Sequence, residues 1–261
     1  MNNAVRRIVP FDGSYAQANK HFTVSKYLAY FITAVALTLS IIERNKLVTD
    51  DTARTLGACN ALLVIAYLVA EYRGHLLYVQ AETKRRFDFV DNSFGTTFSE
   101  ANSEGYYTNT EAQAGLYRMA LNNFENSFTS QHNLDQMLPK VGIKNGFIVA
   151  AYCLSAAIGD KHTVRVIAES IIAASFALEL IKLWYFTAEV RNINLSWRTL
   201  FQDTIPDSLN EKKVAQMVMH VLRYETIVAW ASIPLDMEFF GKNRERLDDL
   251  WKEQKKRLGI S

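Results

Sequence analysis

"YLAYFITAVALTLSII", residues 27–42, holds no charged side chain, and Lys26 and Glu43 stand at its two ends. Three further apolar runs follow, at residues 55–70, 145–159 and 166–186. A core helix of a soluble protein normally keeps a polar stripe on its water-facing side. Apart from Thr and Ser, residues 27–42 and 147–158 lack such a stripe. These runs predict an all-α integral membrane protein with four transmembrane helices.

The length of the runs leaves a second interpretation open. A helix that spans a bilayer needs about 20 mostly apolar residues. The first three runs are slightly short unless their Tyr, Asn and Lys flanks are included, and the fourth carries Glu169, Glu179 and Lys182. A soluble all-α protein with four buried core helices is the alternative.

The cations around the runs are unevenly distributed. They collect before the first run, after the second, before the third and after the fourth: Arg6, Arg7, Lys20, Lys26, Arg73, Lys84, Arg85, Arg86, Lys140, Lys144, Arg191 and Arg198. The two short connections hold fewer cations, and acidic residues dilute them. The positive-inside rule then predicts two helical hairpins, with both termini and the centre of the chain in the cytoplasm.

This interpretation divides the chain into five parts. We expect a cytoplasmic N-terminal segment at 1–23, a first transmembrane hairpin at 24–80 and a cytoplasmic helical insertion at 81–143. A second hairpin at 144–188 and a cytoplasmic helical region at 189–261 complete the prediction. The N-terminus lacks the apolar stretch of a secretory signal, and the expected location is the cell inner membrane.

Helix-start and helix-stop residues subdivide the cytoplasmic parts. Residues 108–128 and 130–142 predict two amphipathic helices, the second stopped by Pro139 and Gly142. Asp207 or Ser208 is expected to cap a long helix that reaches residue 236, and a charged helix is expected over residues 241–260.

Composition and motifs argue against an enzyme. The five histidines show no metal-ligand spacing, and the common nucleotide-binding and hydrolase motifs are missing. Cys59 and Cys153 lie inside apolar runs, where cysteine behaves as a small hydrophobe. The net charge of +2 gives no support to nucleic-acid binding. We therefore expect no catalytic residues, no metal and no cofactor.

The charges of the fourth run predict a lining for a pore. A charged side chain at membrane depth costs roughly 2.5–3.5 kcal/mol on insertion scales, and it usually faces protein or water. Ser175, Glu179 and Lys182 share one helical stripe, and Glu169 lies nearer the outer turn. Alternatively, the membrane ends near Phe176 and the charges simply mark the exit of the helix.

Two more candidate sites lie in the cytoplasmic insertion. Tyr106, Tyr107 and Arg118 could stack on and charge-pair with a nucleotide, although ordinary loop packing is the alternative. In "KRRFDFVDNSFG", residues 84–95, the cations Lys84, Arg85 and Arg86 are expected to anchor the protein to lipid headgroups. Asp91, Asn92 and Gly95 should end the helix there.

The layout of two transmembrane hairpins around a cytoplasmic insertion, with "KRRFDF" at 84–89 and "FENSF" at 124–128, resembles a known family. It is similar to the four-transmembrane pore-forming effectors of bacterial nucleotide-signalling, anti-phage defence systems. The resemblance implies a homo-oligomer that perturbs the inner membrane when a cytoplasmic activator protein or a nucleotide signal reports infection. The alternative is a membrane-anchored scaffold that recruits a cytoplasmic partner protein.

Overall fold

The computed structural model describes residues 8–158, 163–202 and 209–260, without the side chains of 155, 156, 158 and 163–169. The described residues form six helices: α1 Asp12–Arg44, α2 Asp50–Phe94, α3 Leu116–Ile158, α4 Thr163–Gln202, α5 Glu211–Ala231 and α6 Met237–Arg257. In this part of the chain, β pairing is limited to an isolated bridge between Ile8 and Glu104. The prediction of an all-α fold is confirmed.

Three helical stretches are long and apolar enough to cross a membrane, judged by length and composition. They are α1, α2 and the Ser170–Gln202 part of α4. The prediction of four such helices in two hairpins is corrected to three among the described residues. The third apolar run occupies only the C-terminal end of α3, after a polar stretch, and the described part of that helix stops at Ile158.

Helix α3 also corrects the prediction of two separate helices in the insertion. It begins at Leu116 and continues without interruption through Pro139. Proline inside a helix costs about 3 kcal/mol, because it removes a hydrogen bond and crowds the preceding turn. Leu134 before the proline and Ile148 after it are both buried, so tertiary packing holds the helix on either side of this position.

The structure confirms some of the other predicted helix ends and changes others. Helix α2 ends at Phe94, and Gly95 adopts a left-handed backbone conformation with φ of 70°, as expected for the end of this helix. Helix α5 is capped by Asn210 and stops at Ala231, where Ser232 turns left-handed, so it is shorter than predicted. The proposed caps Asp207 and Ser208 lie outside the described residues. Helix α6 confirms the predicted final charged helix and buries Leu247 and Trp251.

The chain divides into two compact units. The bundle unit comprises Ala16–Leu77 and Leu138–Lys182, and the body unit comprises Met1–Tyr15, Tyr78–Met137 and Leu183–Ser261. The predicted hairpins 24–80 and 144–188 overlap with the bundle unit, although the predicted domain boundaries remain a prediction.

The body unit has the core of an ordinary globular domain. Phe124 of α3 stacks on Phe201 of α4 with ring centroids 5.5 Å apart, and Trp251 of α6 meets Phe124 edge-on at 4.9 Å. Trp197 of α4 is fully buried and donates its indole N–H to Asn123. Large aromatic side chains thus join three helices around one centre.

The bundle unit has a smaller core and long exposed apolar helix faces. Its small core takes residues from α1, α2, α3 and α4, among them Ala29, Val64, Tyr152 and Phe176. Many of its large apolar side chains are exposed instead: Tyr27, Phe31, Leu62, Ile65, Leu68, Val69, Ile143, Phe147, Leu154, Leu178 and Ile181. Its buried residues include polar ones: Ser25, Thr33, Ser40, Asn60 and Asn145. Polar groups inside and apolar groups outside are typical of helices surrounded by lipid.

A buried carboxyl group lies beside the aromatic core of the body unit. The Thr108 hydroxyl donates to Glu125 at 2.9 Å, and the Asn109 side-chain amide donates to it at 2.7 Å. The Trp251 indole N–H donates to Thr108 in turn. Burial raises the pKa of Glu125 to about 7, although the hydrogen bonds from Thr108 and the charge of Lys255 act against this rise.

This pKa predicts a pH-dependent stability with a definite sign. Because the folded carboxyl binds its proton more tightly than the unfolded one, the free energy of unfolding falls as pH rises from about 4.5 to about 7. The steepest loss is about 1.4 kcal/mol per pH unit. We expect Glu125→Gln to remove this component, so that the difference in thermal midpoint between variant and wild type shifts in the variant's favour from pH 5 to pH 7 and levels off above that. Glu100→Gln, in an exposed loop, is the control and should track the wild type. A pH-independent difference for Glu125→Gln would contradict the raised pKa.

Candidate functional site

Eight polar side chains meet inside the bundle unit, and all four of its helices contribute. We call them the polar cluster: Ser25 of α1, Tyr67, Glu71 and His75 of α2, Asn145 of α3, and Ser175, Glu179 and Lys182 of α4. The residues of each helix follow the spacing of one helical face. The polar cluster thus continues the buried stripes that carry the small core.

On the α1–α2 side, Glu71 is the centre of the contacts. The Ser25 hydroxyl donates to Glu71 Oε2 at 2.5 Å, and His75 Nε2 lies 3.5 Å from Glu71 Oε1. Gly74 permits this close approach, because a Cβ atom there would lie 2.9 Å from the Phe22 ring. Small residues bring membrane helices together in the same way.

On the α3–α4 side, Asn145 and Glu179 form the main contact. The Asn145 side-chain amide donates to Glu179 Oε2 at 2.9 Å and to the Phe176 carbonyl oxygen at 3.3 Å. Asn145 is fully buried, and among the described residues its side-chain oxygen has no hydrogen-bond donor. A buried polar atom without a hydrogen-bond partner costs free energy. Polar residues that are kept inside membrane helices in spite of this cost usually have a binding or functional role.

Tyr67 and Lys182 connect the two sides. The Tyr67 hydroxyl interacts with Ser175 and with the charges of Glu71 and Glu179. The positive charge of Lys182 acts on the Glu71 carboxylate. Two carboxylates, one ammonium group and one imidazole therefore lie in one half-buried cluster, in which the Glu71 and His75 side chains are 33% and 38% exposed.

The exterior at the level of the polar cluster carries apolar side chains and cations. Leu178 and Ile181 of α4 are exposed beside Glu179 and Lys182, and Tyr72 and Leu76 of α2 are exposed beside Glu71 and His75. Lys26 and Arg73 are exposed at the same level. Because the cluster itself holds two carboxylates and one ammonium group, its charges favour a cation over an anion.

The structure brings together three of the four residues predicted to line a pore. Ser175, Glu179 and Lys182 belong to the polar cluster, whereas Glu169 lies in α4 with a side chain outside the described set. Sequence reasoning missed the other five members: Ser25, Tyr67, Glu71, His75 and Asn145. Glu71 and His75 stand four residues apart on one helical face, and that spacing was the available signal.

The predicted headgroup anchor differs from the structure at Arg85. This side chain is only 9% exposed and pairs with Glu82 at 3.0 Å and Glu225 at 2.5 Å. Arg86 Nε also donates to Glu225, at 2.9 Å, and Tyr15 donates its hydroxyl to Glu82. Arg85 thus joins α2 to α5 inside the body unit and presents no charge to lipid. Lys84 alone of the three cations is exposed, and its ammonium donates to the Ser14 hydroxyl at 3.2 Å.

The predicted nucleotide site also differs from the structure. Tyr107 is 5% exposed, its ring lies against Phe89 and Tyr106, and Asn126 donates to its hydroxyl. The ring of Tyr106 meets Phe11 edge-on at 5.6 Å. Arg118 is half-buried in the first turn of α3. The face of Tyr107 is therefore not open for stacking on a base.

The loop that follows α2 is held by two aspartates. Asp91 accepts hydrogen bonds from Thr96, Phe98 and Ser99. Burial raises the pKa of Asp91, but the hydrogen bonds from Ser99, Phe98 and Thr96 outweigh it and lower the pKa to about 2. Asp88 holds Ser103 in the same way. These contacts give the acidic half of "KRRFDFVDNSFG" a structural role.

Comparison of the chain with protein-family models, with curated proteins and with solved structures gave no match. Within the described part of the chain, no group of three or more His, Cys, Asp or Glu residues could hold a metal ion. The function must therefore be inferred from the geometry of the chain itself.

The contrast between Arg85 and Lys84 predicts a difference in stability. Removing one partner of a buried ion pair typically costs 3–5 kcal/mol, because the remaining charges stay buried without compensation. We expect Arg85→Met to lower the free energy of unfolding by about this amount, and Lys84→Met, on the exposed face, to change it by at most about 0.5 kcal/mol. Denaturant unfolding of the detergent-solubilised protein measures both. Equal small losses would show that Arg85 is solvated after all.

Proposed function

We propose that the protein is a membrane-embedded effector, without enzymatic activity, whose bundle unit provides a regulated pathway for ions or protons across the bilayer. The polar cluster carries this proposal. Its two carboxylates, lysine and histidine lie together, half-buried between the four helices of a bundle that exposes large apolar side chains beside them. Ionisable residues in such a place mark ion or proton pathways more often than they stabilise a fold.

The exterior of the bundle unit supports the membrane part of the proposal. Ile143 and Phe147 of α3 are 78% and 77% exposed, and Tyr27 and Phe31 of α1 are exposed as well. Large exposed apolar patches are rare on soluble monomers. Lipid would cover them without changing the buried polar contacts, which favours a membrane over water.

The core of the bundle unit suggests how such a pathway would be controlled. Tyr67, Tyr152 and Phe176 fill its centre, and the Thr33 hydroxyl donates to the Tyr152 hydroxyl at 3.0 Å. In this arrangement the interior of one copy is packed. We propose that conduction requires rearrangement of the helices or assembly of several copies, and that the protein works as a homo-oligomer.

The same proposal includes the membrane topology, the cellular location and the biological role. Beyond the three helices that length and composition identify, we propose a fourth crossing by the C-terminal end of α3, an inner-membrane location and cytoplasmic termini, on the strength of the cation distribution along the sequence. The resemblance to anti-phage effectors suggests a role in bacterial defence. An activator protein or a nucleotide signal would then act on the cytoplasmic helices.

A membrane-anchored scaffold is the second candidate, and helix α5 favours it. Met219, Leu222 and Trp230 are large apolar side chains on this helix, and all three are exposed. Exposed apolar residues on a helix surface often mark a protein interaction site. In this alternative, α5 recruits a partner and the bundle unit only anchors it.

Ion flux across vesicles distinguishes the two candidates. We expect the purified protein to permeabilise lipid vesicles, and Glu71→Gln or Glu179→Gln to lower the preference for cations over anions, because each removes a negative charge from the interior. Glu211→Gln, which changes an exposed charge of α5, serves as the matched control and should leave selectivity unchanged.

Wild-type vesicles that stay sealed over a range of protein-to-lipid ratios, while the protein remains inserted, would contradict the pathway and favour the scaffold. Selectivity that is unchanged in both carboxylate variants would remove the polar cluster from the pathway.

A further inference from the structure

A groove on the bundle unit runs between α1 and α3. Its volume is about 520 Å³, within the range of pockets that hold small-molecule ligands. Ala34 and Leu37 of α1 line one wall, and Phe147 and Ala151 of α3 line the other. Tyr30 and Lys144 add polar groups to this lining.

The two helices run in the same direction along this groove. Tyr30 meets Lys144, and further along, Thr33 meets Tyr152, so positions increase together on α1 and α3. Lys144 and Tyr30 therefore lie toward one end of the groove, and Leu37 and Ala151 lie toward the other. The groove is thus polar at one end and apolar along the rest of its length.

Lys144 lies at the polar end, and Lys26 stands near it. The Lys144 ammonium lies 6.0 Å from the centroid of the Tyr30 ring, at the outer limit of a cation–π contact. Lys26 is exposed outside the groove lining, one helical turn before Tyr30, and its charge acts on the Tyr30 hydroxyl. Both cations lie in the stretches of α1 and α3 that the cation distribution assigns to the inner membrane surface.

We propose that this groove is a binding site for one anionic phospholipid. Its phosphate pairs with Lys144 and Lys26, and one acyl chain follows the apolar walls between Ala34 and Ala151. Basic residues between transmembrane helices on the cytoplasmic side bind anionic headgroups through the same charge complementarity. This inference rests on the proposed membrane embedding of the bundle unit.

A second copy of the chain fits the groove less well. A helix docked there would bury Lys144, and that requires a carboxylate from the partner. Asp50 and Asp51 are exposed carboxylates of the bundle unit, but they lie after the α1–α2 connection, at the far end of α1 from Lys26. Copies inserted in one orientation could not bring Asp50 or Asp51 to Lys144. Glu71 and Glu179 lie nearer its level, but they already accept hydrogen bonds from Ser25 and Asn145, whereas a lipid phosphate at this depth is free to pair with it.

Lipid retention by two kinds of variant tests the site. The full-length protein is purified from nanodiscs that contain equal amounts of phosphatidylglycerol and phosphatidylcholine, and retained lipids are counted by native mass spectrometry. Lys144→Gln removes charge and leaves the walls, and Ala34→Phe fills the groove and leaves the charge. Lys46→Gln, in the loop after α1, and Ala150→Phe, outside the groove lining, are the matched controls.

We expect the wild type to retain phosphatidylglycerol in preference to phosphatidylcholine. Because one lysine near an anionic headgroup contributes about 1 kcal/mol, Lys144→Gln should reduce this preference about fivefold. Ala34→Phe should reduce the retention of both lipids, and neither control should change it.

Retention that is unchanged in both groove variants overturns the proposal. A shift in oligomeric state in Ala34→Phe without loss of lipid overturns it too, and assigns the groove to a second copy. Sedimentation of the same variants with carbonate-washed membranes separates these outcomes from failure of the proposed function. If the wild type itself does not stay with the membranes, the proposed membrane embedding is wrong. If the wild type stays with the membranes and permeabilises vesicles but shows no lipid preference, only the proposed lipid site is wrong.

Discussion

The carboxylates of Glu71 and Glu179 lie between the helices of the bundle unit, where each needs a hydrogen-bond donor. The rest of the structure depends on this constraint. Each carboxylate is supplied with a donor from another helix, Ser25 of α1 and Asn145 of α3 respectively. Because a half-buried charge needs hydrogen-bond partners to offset lost solvation, these contacts favour the observed way in which the four helices face one another. The small residues of the core follow from the close approach, and the bulky apolar side chains turn outward as a result.

The body unit is built around a larger aromatic centre. Its buried charged groups have ion-pair or hydrogen-bond partners, as Arg85 has Glu82 and Glu225, and Asp91 has Ser99. One chain thus carries a bundle unit with long apolar helix faces and a body unit with an aromatic core. This division favours an effector in which a soluble helical part receives a signal and a membrane part responds. It is also what a membrane-anchored scaffold would need, so function depends on whether the bundle unit conducts.

Local patterns in the sequence predicted much of the fold and less of the site. The all-α class and the end of α2 at Gly95 followed from apolar runs and turn residues, which act over a few positions. The continuity of α3 through Pro139 did not, because burial on either side of the proline outweighs its local preference. Arg85 and Tyr107 were assigned to exposed sites because sequence alone does not reveal a partner such as Glu225, which lies 140 residues away. The carboxylate of Glu71 was overlooked for the same reason, since Ser25 and Lys182 become its neighbours only in the folded bundle.

The most direct test of the membrane embedding of the bundle unit uses two cysteines that the chain already contains. Cys59 and Cys153 are free and exposed on the apolar helices of the bundle unit. If lipid surrounds that unit, a membrane-impermeant maleimide should leave both thiols unlabelled in permeabilised cells and label them once the membrane is dissolved in sodium dodecyl sulfate. An Asp249→Cys variant, at a side chain that is 76% exposed on α6, should be labelled under both conditions. Labelling of Cys59 and Cys153 at the rate of position 249 before the membrane is dissolved would contradict the membrane embedding of the bundle unit.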